Sequence, residues 1–211
     1  GMAEKGQEKH MELIKYGLET ECNASAAIID MYVKCGLLKE ASEVFNQLIV
    51  GDVVSSTAMI SGYACQGKVK KVSSLVSRMK RKGIQEDTIT ILSVLTSCSH
   101  AGLVDRGCEY FGDVRKDNKA FLADEHYNCL LDLMARAGQL DKAIEVIECM
   151  PLQPKPMMWM ALLGACRKWG NVELGRYAFI SVVELSSDDK QATPFVLMSN
   201  IYGDSYMCED A

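Results

Sequence analysis

Proline is scarce in this chain. Four occur in 211 residues, at Pro151, Pro154, Pro156 and Pro194, leaving residues 2–150 free of them. A stretch that long without the residue that removes a backbone donor and breaks helices favours an all-helical fold. Paired cysteines are missing as well: there are nine, an odd number, and no two stand in a CxxC spacing. That leaves no zinc pattern and argues against a disulfide framework. Cys98, Cys108, Cys129 and Cys166 fall inside apolar helical patterns, where a thiol behaves as a small hydrophobe. They read as reduced packing residues of an intracellular protein. No apolar run reaches 18 residues and no signal or transit peptide is visible, so the segment is read as neither spanning a membrane nor carrying its own address. A basic excess is also lacking. Lys and Arg number 23 against 28 Asp and Glu, a net charge of −5, which disfavours a general nucleic-acid binder but not one that places its cations locally.

Catalytic constellations are equally thin. His10-Met11-Glu12 is formally an HxE, but the PCxxC of a zinc deaminase does not follow it, and an amphipathic helix accounts for it. Asn23-Ala24-Ser25 is formally a glycosylation sequon, without meaning inside a helical intracellular repeat. His126, beside Asp124 and Glu125, reads as a solvated helix start rather than a ligand. The chain is therefore read as a non-enzyme without metal or cofactor.

What the chain does have is a repeat. Gly36, Gly67, Gly102, Gly138 and Gly170 recur with gaps of 31, 35, 36 and 32 residues. Five residues after each glycine stands a residue that is usually small: Ala41, Val72, Gly107, Ala143, Gly175. Nine after stands a bulky apolar one: Phe45, Val76, Phe111, Ile147, Phe179. Three marks in constant phase over five copies define a helix–turn–helix repeat of about 34 residues. Such units pack on their neighbours in a continuous array with no central core.

The units follow. Residues 1–21 are a partial repeat, one amphipathic second helix ending at Gly17, with Gly1 before Met2 reading as an expression scar. Residues 22–52, 53–87, 88–123 and 124–155 are whole units. Residues 156–189 are a further helix pair, closed by an acidic break at Ser186–Lys190, and 190–211 begin another with Phe195–Tyr202. Lys80-Arg81-Lys82-Gly83 reads as a solvated helix end, since cations suit a last turn and glycine its cap. Asp105 and Asp141, each three residues after a hinge glycine, are placed to serve the free amides of the next helix.

These residues resemble pentatricopeptide repeat proteins, and more narrowly the plant organellar PLS class with an E-type extension. IIDMYVKCGLLKEASEVF is similar to the family's short motif, LIDMYAKCGxLxxAxxVF. DVVSSTAMISGYACQGK resembles DVVSWTAMISGYAQxG, and LSVLTSCSHAGLVDRGCEYF resembles the long motif. MPLQPKPMMWMALLGACRKWGNVELG resembles the junction that opens the E-type extension, and VLMSNIY its second part. The likeness covers nearly the whole chain. The tetratricopeptide alternative shares the helix pair but not the variable unit length.

The resemblance implies a right-handed α-solenoid that binds single-stranded RNA, one base per unit, in a groove lined by the first helices. It implies a role in specifying an organellar transcript, in mitochondrion or chloroplast, for cytidine-to-uridine editing, with a deaminase or editing factor acting in trans. Each base is read by a unit's fifth and last residues. Thr57 with Asp87 resembles the guanine code, and Asn128 resembles pyrimidine choice, with Lys155 in place of the expected acid or amide. Ala26 with Asp52 and Leu92 with Ala123 are off-code, which leaves these units packing and spacing. Ser56 replaces a frequent tryptophan and weakens local packing. Two residues before the hinge glycines stand Lys34, Cys65, His100, Arg136 and Lys168. The four basic ones are candidate phosphate contacts along a single strand, or else cations favoured at helix C-termini. The rival class is a protein-interaction scaffold, with self-association through exposed solenoid ends.

Overall fold

The computed structural model describes residues 2–16, 22–48, 52–117, 122–151, 153–185 and 192–209. Among them are twelve helices and no strand. A single helix, α1 (Met2–Lys15), comes first. Five pairs follow: α2 (Cys22–Lys34) with α3 (Leu38–Gln47), α4 (Val53–Cys65) with α5 (Val69–Arg81), α6 (Thr88–Ala101) with α7 (Val104–Asp117), α8 (Asp124–Arg136) with α9 (Leu140–Glu148), and α10 (Pro156–Trp169) with α11 (Val172–Leu185). The last helix is α12 (Ala192–Glu209), with Pro194 in its first turn, where its missing N–H is tolerated. Gly17 and the acidic break at Ser186–Lys190 lie outside the described residues.

The repeat marks acquire physical meaning here. All five hinge glycines have positive φ, from 65° at Gly67 to 77° at Gly36. At Gly36 the left-handed residue lets the Leu37 amide bond Tyr32 O at 2.9 Å, and the same closure recurs from Lys68 to Tyr63, Gln139 to Met134 and Asn171 to Cys166. This is a Schellman ending, which absorbs carbonyls the helix leaves unpaired. Ala41, Val72 and Ala143 are fully buried, and Gly107 and Gly175 are buried too, so the small positions are where two helices touch. Asp105 and Asp141 do not cap. Each sits inside the first turn of its helix, and α9 is preceded by Gln139 with no side-chain cap bond. The carboxylates complement the helix dipole instead.

First and second helices differ in how they are buried. On α5 the buried residues are Val69, Val72, Val76 and Met79, a single stripe of an amphipathic surface helix. On α4 they run almost all round, from Ser55 through Ile60 to Ala64, as expected of a helix covered on several sides. Fully buried Ile29, Ile60, Leu95, Leu131 and Leu163 hold these first helices, each contributing about 1.5–3 kcal/mol by burial. The chain divides into two compact units, Gly1–Ala101 and Gly102–Ala211. In the first, α2, α4 and α6 stack side by side and α3 and α5 cover them; in the second, α8, α10 and α12 stack under α9 and α11. No helix among the described residues is long and apolar enough to cross a membrane.

Candidate nucleic-acid interface

The last residue of each whole unit is also the residue that starts the next first helix. Asp52 precedes α4 and accepts from the Ser55 amide at 2.7 Å, with the Ser55 hydroxyl bonded to the same oxygen. Asp87 precedes α6 and accepts from the Thr90 amide at 2.7 Å. Both are helix N-caps. Asp87 does more: the Thr57 hydroxyl donates to the same Oδ1 at 3.2 Å, and Thr57 and Thr90 share a 2.8 Å hydrogen bond. The two residues matched to the guanine code therefore meet, with Thr57 buried and Asp87 half-buried.

The other units differ. Ala123 has no side-chain oxygen with which to cap α8, and the His126 Nδ1 instead accepts from the Ala123 N–H at 3.0 Å. His126 is fully buried, so it is a capping group and not the solvated helix start its acidic neighbours imply. Leu92 and Ala123 are half-buried, and Ala26 is buried. Lys155 precedes α10 without capping it, and Pro156 follows at the first helical position. Its ammonium lies 2.5 Å from Asp124 Oδ2. The hydrogen bond to Asp124 and the carboxylate's charge raise Lys155 above the usual lysine value.

Helical spacing brings the positions expected to meet a base and a phosphate toward one face, since residues four apart stand above one another. On α2 the stripe is Ala26, Asp30, Lys34; on α4, Thr57, Ser61, Cys65; on α6, Leu92, Thr96, His100; on α8, Asn128, Asp132, Arg136. Lys34, His100, Arg136 and Lys168 are all exposed. Two are paired within their helix. Lys34 Nζ is 2.6 Å from Asp30, and Arg136 Nε donates to both Asp132 oxygens at 2.8 and 2.9 Å. Lys168 donates to Arg136 O at 3.4 Å and lies 4.8 Å from the Trp169 ring centroid. Between α8 and α10 a shallow cleft of about 230 Å³ is lined by Asp132, Arg136, Gly164 and Lys168. The carboxylates Asp30, Asp124 and Asp132, paired with Lys34, Lys155 and Arg136, are not among the residues that the motifs single out as candidates. Their signal was present as an acid four residues before Lys34, Asn128 and Arg136.

Ser56 is buried beside a cavity of about 10 Å³ lined by Phe45, Leu75, Met79 and Ile84, no more than the space of one water. Among the described residues no group of three or more His, Cys, Asp or Glu could hold a metal ion. His10, from the HxE match, instead shares a 2.9 Å hydrogen bond with the Tyr32 hydroxyl.

Helix pairs closed by left-handed glycines, with a polar stripe along each first helix, define a helical repeat protein. The family of that repeat is matched directly: the PPR repeat family over residues 51–100, and the PPR repeat over 27–52 and 125–152. The chain belongs to the pentatricopeptide repeat proteins. A pentatricopeptide repeat-containing protein of Arabidopsis thaliana is 40% identical over 202 residues, 96% of this chain and 33% of its own length. A mitochondrial one is 40% identical over 204 residues, covering 97% and 32%, and a chloroplastic one 38% over 202, covering 96% and 24%. The chain thus spans a third or less of these relatives. Among solved structures, maize PPR10 is similar with a TM-score of 0.69 at 22% identity, over 85% of this chain and 26% of that one. PPR10 in complex with an 18-nt psaJ RNA element gives 0.61 at 18% identity, over 99% and 32%.

Proposed function

We propose that this chain binds single-stranded RNA along the stripe of its first helices, one nucleotide to a unit. Thr57 with Asp87 takes guanine, and Asn128 with Lys155 a pyrimidine. Lys34, His100, Arg136 and Lys168 face the backbone phosphates. The observation that carries this reading is the contact between Thr57 and Asp87, residues 30 apart that meet at one hydrogen-bonding point. The RNA held by the related maize protein supports it. In its finer form the chain is a PLS-type segment with an E-type extension that marks an organellar site for cytidine-to-uridine editing. A deaminase or editing factor then acts in trans, in mitochondrion or chloroplast.

The test is a mobility-shift series on short single strands reading G, any base, pyrimidine from 5′ to 3′. Replacing the G by A weakens binding if Thr57 and Asp87 read it; unchanged affinity removes the assignment. The scaffold reading has one specific observation in its favour. Ile180, Val183, Phe195 and Val196 on α11 and α12 are exposed, and exposed apolar side chains suit a protein partner or a second copy. Salt separates the two readings, because RNA binding weakens steeply with ionic strength and apolar contact does not.

A further inference from the structure

Trp169 puts an aromatic ring where the repeat does not require one. The residue before each of the other hinge glycines is Cys35, Gln66, Ala101 or Ala137, so the helix pair closes without a ring at that position. Of the chain's two tryptophans, Trp159 is 6% exposed and Trp169 is 48% exposed. We infer that Trp169 is a stacking platform for an RNA base, that of the nucleotide 3′ of the pyrimidine. The inference rests on the RNA reading proposed above and adds to it a contact made by the helix pair 156–189.

The indole is fixed rather than loose. Its Nε1–H donates to Ala135 O at 2.8 Å, near the end of α8, which satisfies the one polar hydrogen the ring carries. Gly138 lies against the ring: a Cβ there would stand 3.0 Å from Trp169 Cε2, 3.1 Å from Cδ2 and 3.2 Å from Cζ2. Cδ2 and Cε2 form the ring-fusion bond, which lies inside the indole and is met that closely only from a face. Gly138 therefore covers one face, and the exposed part of Trp169 is the opposite face with its rim. A ring already immobilised has little freedom left to lose when a base stacks on it.

The surroundings suit a nucleotide. Lys168 Nζ lies 4.8 Å from the indole centroid, a cation–π contact. Its hydrogen bond to Arg136 O is long, at 3.4 Å, and no carboxylate pairs with it among the described residues. Lys34 and Arg136, by contrast, are each held by an aspartate. The Lys168 ammonium can thus turn from the ring to a phosphate without leaving an acid unpaired. The cleft of about 230 Å³ beside it, lined by Ala135, Arg136, Gly164 and Lys168, gives the strand room at the end of α8. Stacking on an aromatic face accepts every base, so this contact adds affinity without adding to the code.

The experiment is binding of the 211-residue chain to labelled single-stranded RNAs, followed by anisotropy. The parent strand reads G, any base, pyrimidine, A. A second strand is abasic at the final A, and a third has A for the G. The expected result is about tenfold weaker binding of the abasic strand than of the parent. Trp169→Ala should bind those two strands within about twofold of each other, because the ring and the base share one contact. In Trp159→Phe the indole of Trp169 is the sole tryptophan, and its emission should be quenched by the parent strand and not by the abasic one. That arm keeps the native indole, so it decides even where Trp169→Ala does not fold. If parent and abasic strands bind alike, or if Trp169→Ala weakens both equally and emission is unmoved, Trp169 only seals the end of α8. The inference then falls alone, provided the G substitution still weakens binding. Indifference to both substitutions, or no binding to any strand, overturns the inference and the RNA reading together.

Discussion

At the scale of single residues, the positions matched to base reading already have structural work. Asp87 caps α6 and receives the Thr57 hydroxyl, so deleting it confounds fold with recognition. Two substitutions separate the effects. Asp87→Ala loses the cap and destabilises by about 1–2 kcal/mol, while Asp87→Asn caps nearly as well. If Asp87 reads guanine, Asn lowers the preference for G over A at unchanged urea midpoint. A preference that survives Asn would leave Asp87 as a cap only. Cys166 gives a separate expectation. Burial pushes its thiol from 9.0 up to about 11, so the fold favours the neutral form. The unfolded chain ionises first, and this contribution is intact below pH 9 and declines as pH rises toward 11. The decline is about 1.4 kcal/mol per pH unit in that window. Urea midpoints at pH 8 and pH 10 should converge for Cys166→Ala relative to the parent; an equal fall in both would remove Cys166 as the source.

At the scale of helices, glycines that look alike in sequence have opposite duties. Gly62 on α4 faces α2 so closely that an added Cβ would lie 2.9 Å from both Val33 methyls and 2.8 Å from Leu38 Cδ2. Gly62→Ala must displace the Val33 and Leu38 side chains, at a cost of about 1–3 kcal/mol. Gly164 on α10 has nothing within 4 Å of the same point, and Gly164→Ala should stabilise by about 0.5–1 kcal/mol through helix propensity alone. Thermal melts of both check the pair, and a shift of the same sign in both would contradict the packing argument. The helix pairs themselves were legible because hinge glycine, small contact residue and bulky residue recur at fixed offsets, each set by one physical need. Capping was not. His126 reaches back to accept from the Ala123 N–H, and Asp141 lies inside α9 rather than before it. Such choices turn on a single residue's angle, which a motif does not encode.

At the scale of the whole molecule, the question is how a chain of net charge −5 could hold a polyanion. The stripe positions were legible as sites two residues before a glycine, but their electrostatics were not, because the motif records the cation and not its partner. Asp30 and Asp132 each neutralise one. A phosphate approaching Lys34 or Arg136 must compete with a carboxylate already in place, which lowers affinity and flattens its dependence on salt. Removing those carboxylates tests whether the cations face RNA. Asp30→Asn and Asp132→Asn each forfeit a helix ion pair worth only about 0.3–0.5 kcal/mol, so the fold should persist. Each should tighten RNA binding at low salt, and each cation recruited to a phosphate should steepen the slope of log K against log salt by about 0.7. The double variant should add the two effects, since Asp30 and Asp132 share no partner. If affinity and slope are unmoved while Lys34→Ala and Arg136→Ala are also silent, these cations serve helix ends and the phosphates are held elsewhere. A steeper slope in the single variants, lost again when the neighbouring cation is replaced, would assign the backbone contact to Lys34 and Arg136 individually.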